Sequence, residues 1–414
     1  MNPPFKYWVY LIGLIFIMNC RKPYLPPAVA ASASYLVVEG VINTGSDSTV
    51  IKLSQTVSLK GKTTANPVHG ATVTVESNQN NTYALTETKT GQYASPGLNL
   101  SNSLQYRLRI KTTSEEYVSD FVPVVNSPAI DTVSHEVRAD GIQFSVSTHD
   151  PQNNTHYYRW DYQETWTIHS KYYSFYKSNG DTVLDRDLLH DQIYQCWQSD
   201  TSSTIVIGTS GRLSQDIISN LPVTFVPSAS PKLDGGQSII ISQYAPTASC
   251  YSIVVKQYGL TGDAYRFWTN LKKNTEQLGS IFDAEPSQID GNIHSVTHPA
   301  EPVIGYVSAG SVASKRIFVT NGEIPVAWLP DLRNSDCVLD TLYFRGTPPG
   351  SAVEVNEEDE YFNYNKQVKY HYLQIPIAVI INKVNGKVIG HTGSTPGCVD
   401  CTLRGTNIQP SFWK

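Results

Sequence analysis

Apolar side chains recur at every second position in short runs from Tyr35 to about Val125, and each run is broken by Gly, Asn or Ser. "YLVVEGVI", "TVIKLSQTV", "ATVTVES", "TYALTETKTGQYAS" and "LQYRLRIKTTSEEYVSDFVPVV" all show this period of two, which puts one face of a strand into a core and the other into solvent. So many strands in some ninety residues predict an antiparallel β-sandwich over residues 35–126. "NSPAIDTV", at 126–133, reads as the boundary, because a proline and turn-prone residues separate two strands. A second β-rich domain then fills 127–414. It opens with a hairpin across Asp140 and Gly141, the pair that favours a tight two-residue turn. Strands follow at "STIVIGT", "QSIIISQYA", "CYSIVVKQYGL", "VIGYVSAG", "SKRIFVTN" and "YLQIPIAVIINKV", with a less regular insert between Ser174 and Ser203. The fold class is mainly β, as tandem antiparallel β-sandwich domains, the second of immunoglobulin-like type.

The period changes to 3.6 in one place. In "TGDAYRFWTNLKKNTEQLG", Ala264, Phe267, Trp268, Leu271 and Leu278 form one stripe, which predicts a helix over 262–278 that covers a sheet. Thr261 can cap its first turn, Asp263 suits the positive end of its dipole, and Gly279 stops it.

A third pattern lies at the start, where twelve apolar residues run from Tyr7 to Met18 after Lys6. That is the length of a secretory core and short of the roughly 20 residues a membrane-spanning helix needs. Ile17, Met18, Asn19 and Cys20 resemble a bacterial lipobox, although Asn19 replaces the usual small residue. The expectation is a signal peptide over 1–19, lipidation of Cys20, and a Pro-rich tether over 20–34. The rival is ordinary cleavage after Ala28–Ala30.

Composition narrows the function classes. A net charge of -5 supplies no basic field for nucleic acid. The 25 tyrosines beside 12 Phe and 7 Trp suit both cross-strand pairs and binding surfaces. In "YYRWDYQETW", alternation sets Tyr158, Trp160, Tyr162 and Trp166 on one face and Tyr157 on the other. The four are either ligand contacts or core. Beyond Cys20 the cysteines are Cys196, Cys250, Cys337, Cys398 and Cys401. All are disulfide candidates in an exported chain, and the odd count leaves at least one outside an internal bond.

Other chemistry has little to build on. His294 and His298 in "HSVTH" lack the glutamate of a zinc-protease helix and follow a turn, so no metal ligand is expected there. Cys398 and Cys401 form a CxxC without a second such pair; a structural disulfide, with Cys337 among its candidates, is expected in place of zinc or redox chemistry. No G-x-S-x-G elbow or phosphate-cradling loop occurs. The acidic run Glu354, Glu357, Glu358, Asp359 and Glu360, like "DRDLLHD", reads as a solvated loop. No cofactor and no catalytic residue are expected.

"NPVHGATVTVE" with the later "GQY" resembles the opening of a transthyretin-like accessory domain. Larger blocks carry a wider resemblance. "AYRFWTNLKKNTEQLGSIFDAEPSQIDGNIHSV", "PVIGYVSAGSVASKRIFV" and "CVDCTLRGTNIQPSFW", with the earlier "YLVVEGVI", "SDF" and Cys196-Trp197, resemble the Bacteroidota family catalogued as domain of unknown function 4249. That resemblance implies an outer-membrane lipoprotein with a β-rich body, of a kind often encoded beside TonB-dependent receptors. The function it implies is a lipid-anchored, non-enzymatic accessory or ligand-capture partner of a TonB-dependent outer-membrane transporter. The alternatives are a structural or adhesive envelope protein and a glycan- or peptide-acting hydrolase. No acidic surface-export signal follows Cys20, which leaves either side of the membrane open.

Overall fold

The structure is a computed structural model that describes residues 34–57, 66–234, 247–276, 291–328, 336–345, 354–367 and 373–414. The signal segment, Cys20 and all but the last residue of the tether lie outside the described residues, as do Leu278, Gly279 and "QSIIISQYA". The fold is mainly β. Among the described residues no helix is long and apolar enough to cross a membrane.

The first body is an eleven-stranded sheet. The runs read from the sequence become the strands Leu36–Asn43, Thr49–Gln55, Thr72–Ser77, Thr82–Lys89, Gln92–Ser95, Gln105–Lys111 and Glu116–Ser119. Their alternation is literal: in Gln105–Lys111, Tyr106, Leu108 and Ile110 point inward and their neighbours outward. Burying a side chain of that size is worth about 1.5–3 kcal/mol. The sheet also recruits a distant segment. Ile293–Ser295 pairs antiparallel with Glu116–Ser119 at one end of the strand order, and Ala309–Gly310 pairs parallel with Leu36–Asn43 at the other. One stretch, 291–310, therefore covers both edges and curls the sheet on itself. Asn292 clasps it, donating from its side chain to the Val307 carbonyl at 2.9 Å and accepting from the Val307 amide at 2.8 Å. Ile293, Val303, Val307 and Ala309 join the first body's core, so the boundary near Asn126 is crossed by chain that the sequence reading assigned to 127–414.

The approach of that segment is close enough to require glycine. A β-carbon on Gly310 would collide with the Val125 carbonyl oxygen, and one on Gly291 with that of Gly305.

The second body packs a three-stranded sheet, Ile130–Val137, Gly141–His149 and Ile217–Pro227, against a five-stranded one. The latter contains Gln195–Thr201, Tyr157–His169, Val206–Thr209, Ser249–Gly259 and Val312–Thr320. One buried cluster draws on both: Ile142, Phe144, Val146, Val223 and Val226 meet Tyr158, Trp160, Tyr251, Ile253 and Val255. The hairpin predicted at Asp140-Gly141 forms, with the Arg138 amide donating to the Gly141 carbonyl at 2.8 Å. The helix runs Gly262–Glu276, and the Thr261 hydroxyl accepts from the Ala264 amide at 3.2 Å. It covers the outer face of Tyr157–His169: Arg159 lies between Tyr258 at 4.5 Å and Trp268 at 4.2 Å, and Tyr157 meets Tyr265 at 5.0 Å.

A third, smaller body joins the irregular insert to the C-terminal region. The hairpin Tyr176–Ser178 and Val183–Asp185 lies beside a sheet of Asp340–Tyr343, Val388–Ser394 and Ile375–Ile381. Its core is small, built on Ile193, Ile377, Cys398 and Val399.

Candidate functional site: a disulfide-tied module

The third body combines a small core with covalent fastening. Cys398 bonds Cys337 and Cys401 bonds Cys196, each with Cα atoms 5.7 Å apart. The CxxC cysteines thus diverge to different partners, one within the module and one on the edge strand Gln195–Thr201 of the five-stranded sheet. Both are buried, and their thiols are committed to structure. Cys250, outside both disulfides, is buried and its thiol donates to the Val319 carbonyl at 3.4 Å. The chain then adds a bridge in which the Trp197 and Thr406 amides exchange hydrogen bonds at 2.8 and 3.0 Å. Trp413 packs on Trp197, and the Arg316 guanidinium lies 3.6 Å over Phe412.

The module exposes several apolar side chains among charged ones. Tyr173 meets Phe175 and Tyr194 in tilted ring contacts, each at 5.0 Å, while Tyr173 is 38% and Phe175 49% exposed. Leu184 and Leu188 are also exposed, and Leu189 is 81% so. Isolated apolar residues on a surface are ordinary, whereas half-exposed aromatic rings in contact with one another are of the kind enriched in contact surfaces. The segment beneath is cross-braced by one arginine. The Arg186 side chain, almost fully covered, donates to the Ser174 hydroxyl at 3.3 Å, the Asp191 carbonyl at 3.2 Å and the Tyr176 carbonyl at 3.0 Å. Burial pushes its pKa down from the usual guanidinium value.

The acidic run differs from the expected solvated loop. It forms the short helix Glu357–Tyr361 with Glu357 and Glu358 buried. The reason is local: Glu357 accepts from the Tyr343 amide at 2.9 Å, and Glu358 meets His391 Nδ1 at 2.6 Å. Both carboxylates are satisfied inside the module.

Tyr158, Trp160, Tyr162 and Trp166 all belong to the second body's core. The Tyr158 hydroxyl donates to Asp216, and burial followed by that carboxylate drives its pKa well above the usual phenol value. Trp160 Nε1 donates to Gln257 Oε1 at 2.9 Å. With the helix over Tyr157 and Arg159, both faces of the start of this strand are occupied.

Sequence reasoning missed one constellation. Glu115, His298 and Glu301 each place a donor atom within 4.8 Å of the others. Pairing of Ile293–Ser295 with Glu116–Ser119 brings them together. Glu115 meets His298 Nδ1 at 2.8 Å and accepts from the hydroxyls of Ser295, at 3.2 Å, and Thr297. Those bonds, led by Thr297, lower its pKa from the usual carboxylate value. Glu301 accepts from the Tyr117 hydroxyl at 3.1 Å, while burial and the Glu301 charge push Tyr117 up to about 12. His294 is not part of it; its nearest carboxylate is Asp120, at 3.9 Å. The one signal in the sequence was the bare presence of His298 near Glu301, since Glu115 lies far away along the chain.

The family model described as Domain of unknown function (DUF4249) matches residues 21–316. The chain belongs to this family. The DUF4249 match takes in the first body, the Glu115 constellation and the aromatic insert, and it ends inside the strand Val312–Thr320. Cys337, Cys398 and Cys401, which hold the module in place, lie beyond it. No curated protein matches the chain.

Proposed function

We propose that this chain is a lipid-anchored envelope protein that serves as a non-enzymatic accessory or ligand-capture partner of a TonB-dependent outer-membrane transporter. The observation that carries the export half is the pair of buried disulfides, because such bonds form and persist outside the reducing cytoplasm. The apolar run Tyr7 to Met18 supplies the export signal and Cys20 the attachment point. The first and second bodies are β-sandwiches in this reading, transthyretin-like and immunoglobulin-like in type. The partner half rests on the resemblance to lipoproteins encoded beside such receptors and on the aromatic face around Tyr173 and Phe175, carried on a braced support. A face of this kind suits the loops of a β-barrel partner, since aromatic anchors dominate binding energy when desolvated.

The test is to isolate the native protein from outer membranes in mild detergent, weigh its N-terminal peptide and identify what accompanies it. An acylated Cys20 and a co-purifying barrel that is lost on Phe175→Asp are expected. Acylation without any barrel partner would overturn the accessory role in favour of an adhesive envelope protein. An unmodified terminus produced by cleavage after Ala30 would overturn the anchor.

A further inference from the structure

We propose that Glu115, His298 and Glu301 form a binding site for a divalent cation of the zinc class, which pins the segment 291–310 to the first sheet. Glu115 comes from one turn, and His298 and Glu301 from a second that one pair of strands brings beside it. Zinc bound at about 2.0–2.2 Å sets its ligands roughly 3.3 Å apart, so donors within 4.8 Å need only small rotations to close on an ion. His298 is free to make that rotation, because its side chain is largely exposed at the end of a turn closed by the Glu301 amide on the His298 carbonyl, 2.8 Å.

Charge favours a cation. Among the described residues neither Glu115 nor Glu301 pairs with a lysine or arginine; the ion-pair partner of Glu115 is His298 itself. Contrast Glu76, a similarly placed carboxylate of the same sheet, which has both Arg107 and Arg109. Two carboxylates converging without a permanent cation repel each other, and a divalent ion relieves that.

The surroundings also resemble a supporting layer. Metal-binding carboxylates are usually oriented by further hydrogen bonds. Here the Ser295 and Thr297 hydroxyls fix Glu115, and the Tyr117 hydroxyl fixes Glu301. An imidazole with two carboxylates selects borderline ions such as zinc over calcium or magnesium, which prefer all-oxygen shells. Exposure on one side leaves room for water to complete the coordination.

The experiment is calorimetric titration of the chelator-treated full chain with Zn²⁺, alongside thermal unfolding with and without the ion. A saturable 1:1 event that raises the melting temperature is expected. Loss of an outer-layer partner typically costs about 10- to 100-fold in metal affinity. Tyr117→Phe should therefore weaken binding about tenfold, and His298→Ala or Glu115→Gln by about 100-fold or more. His294→Ala should leave it unchanged. Because His298 is exposed, His298→Ala should melt like the parent in the absence of metal, so loss of binding is separable from loss of fold. Absence of saturable binding, undiminished affinity in His298→Ala and Glu115→Gln, or equal affinity for Ca²⁺ would each overturn the proposal.

Discussion

Replacing Trp160 tests whether the aromatic strand Tyr157–His169 is a core element or a binding face. Trp160 is fully buried, stacked on Tyr158 at 5.6 Å. Its indole N–H is the hydrogen-bond donor for Gln257 Oε1, at 2.9 Å. The other end of that amide donates to the Pro128 carbonyl at 2.9 Å and the Thr148 hydroxyl at 3.0 Å, so Gln257 cannot swing to a new partner without breaking two bonds. Trp160→Ala therefore removes a large ring from a packed interior, about 3–5 kcal/mol, and strands a buried carbonyl, about 1–3 kcal/mol. The two together approach the whole stability of an ordinary domain, roughly 5–15 kcal/mol. Trp160→Phe keeps most of the bulk, so the stranded carbonyl should dominate its cost. Urea unfolding followed by circular dichroism and tryptophan fluorescence reads both. The expected order is parent, then Phe, then Ala, with Ala partly unfolded in buffer. An alanine variant that melts with the parent yet no longer recovers the partner in detergent extracts would refute the core assignment.

Removing the Cys196–Cys401 bond with paired serines should be costly. Its span of 205 residues, less the 61 already closed by Cys337–Cys398, leaves a loop of about 144, whose closure is worth up to about 5 kcal/mol; limited proteolysis should then release the third body first. Gly310→Ala forces a β-carbon against the Val125 carbonyl and should destabilise by about 1–3 kcal/mol, read as a lower urea midpoint. Glu76 is held below the ordinary carboxyl value of 4.5, chiefly by its hydrogen bond to Arg109. A depressed carboxyl contributes stability that is present above its unfolded value and lost as pH falls through the folded one. Glu76→Gln should therefore cost about 1 kcal/mol at pH 7, and its deficit against the parent should shrink below pH 4.5; a gap constant from pH 7 to 3 would argue against the pair.

Local patterning made much of this molecule readable. Period-two runs gave the strands of the first body almost residue for residue, because one wet face and one dry face leave an unmistakable trace. The capped helix was equally plain, since Thr261 and the stripe at Ala264 and Phe267 act within a few residues of each other. Long-range choices left no such trace. "VIGYVSAG" read as an ordinary strand, yet only Ala309–Gly310 is one, and its role is to finish a sheet that began near residue 36. Cys398 and Cys401 read as a unit because spacing is all a sequence displays; their partners are set by which strands lie nearby. Glu357 and Glu358 looked solvated because the amide and imidazole that receive them come from elsewhere. The Glu115 constellation was hidden for the same reason, joined only across a strand pair.

The double edge cover by residues 291–310 also imposes an order of events. However the chain is delivered, its N-terminal strands emerge first and must wait, with bare backbone at both ends of the sheet, until some 170 later residues have arrived. Unpaired edges of that kind are the places where nascent β-proteins stick to one another. The interval is one in which a holding chaperone would have most to do, and a chain cut short before Gly310 should aggregate even though all nine of the sheet's early strands are intact.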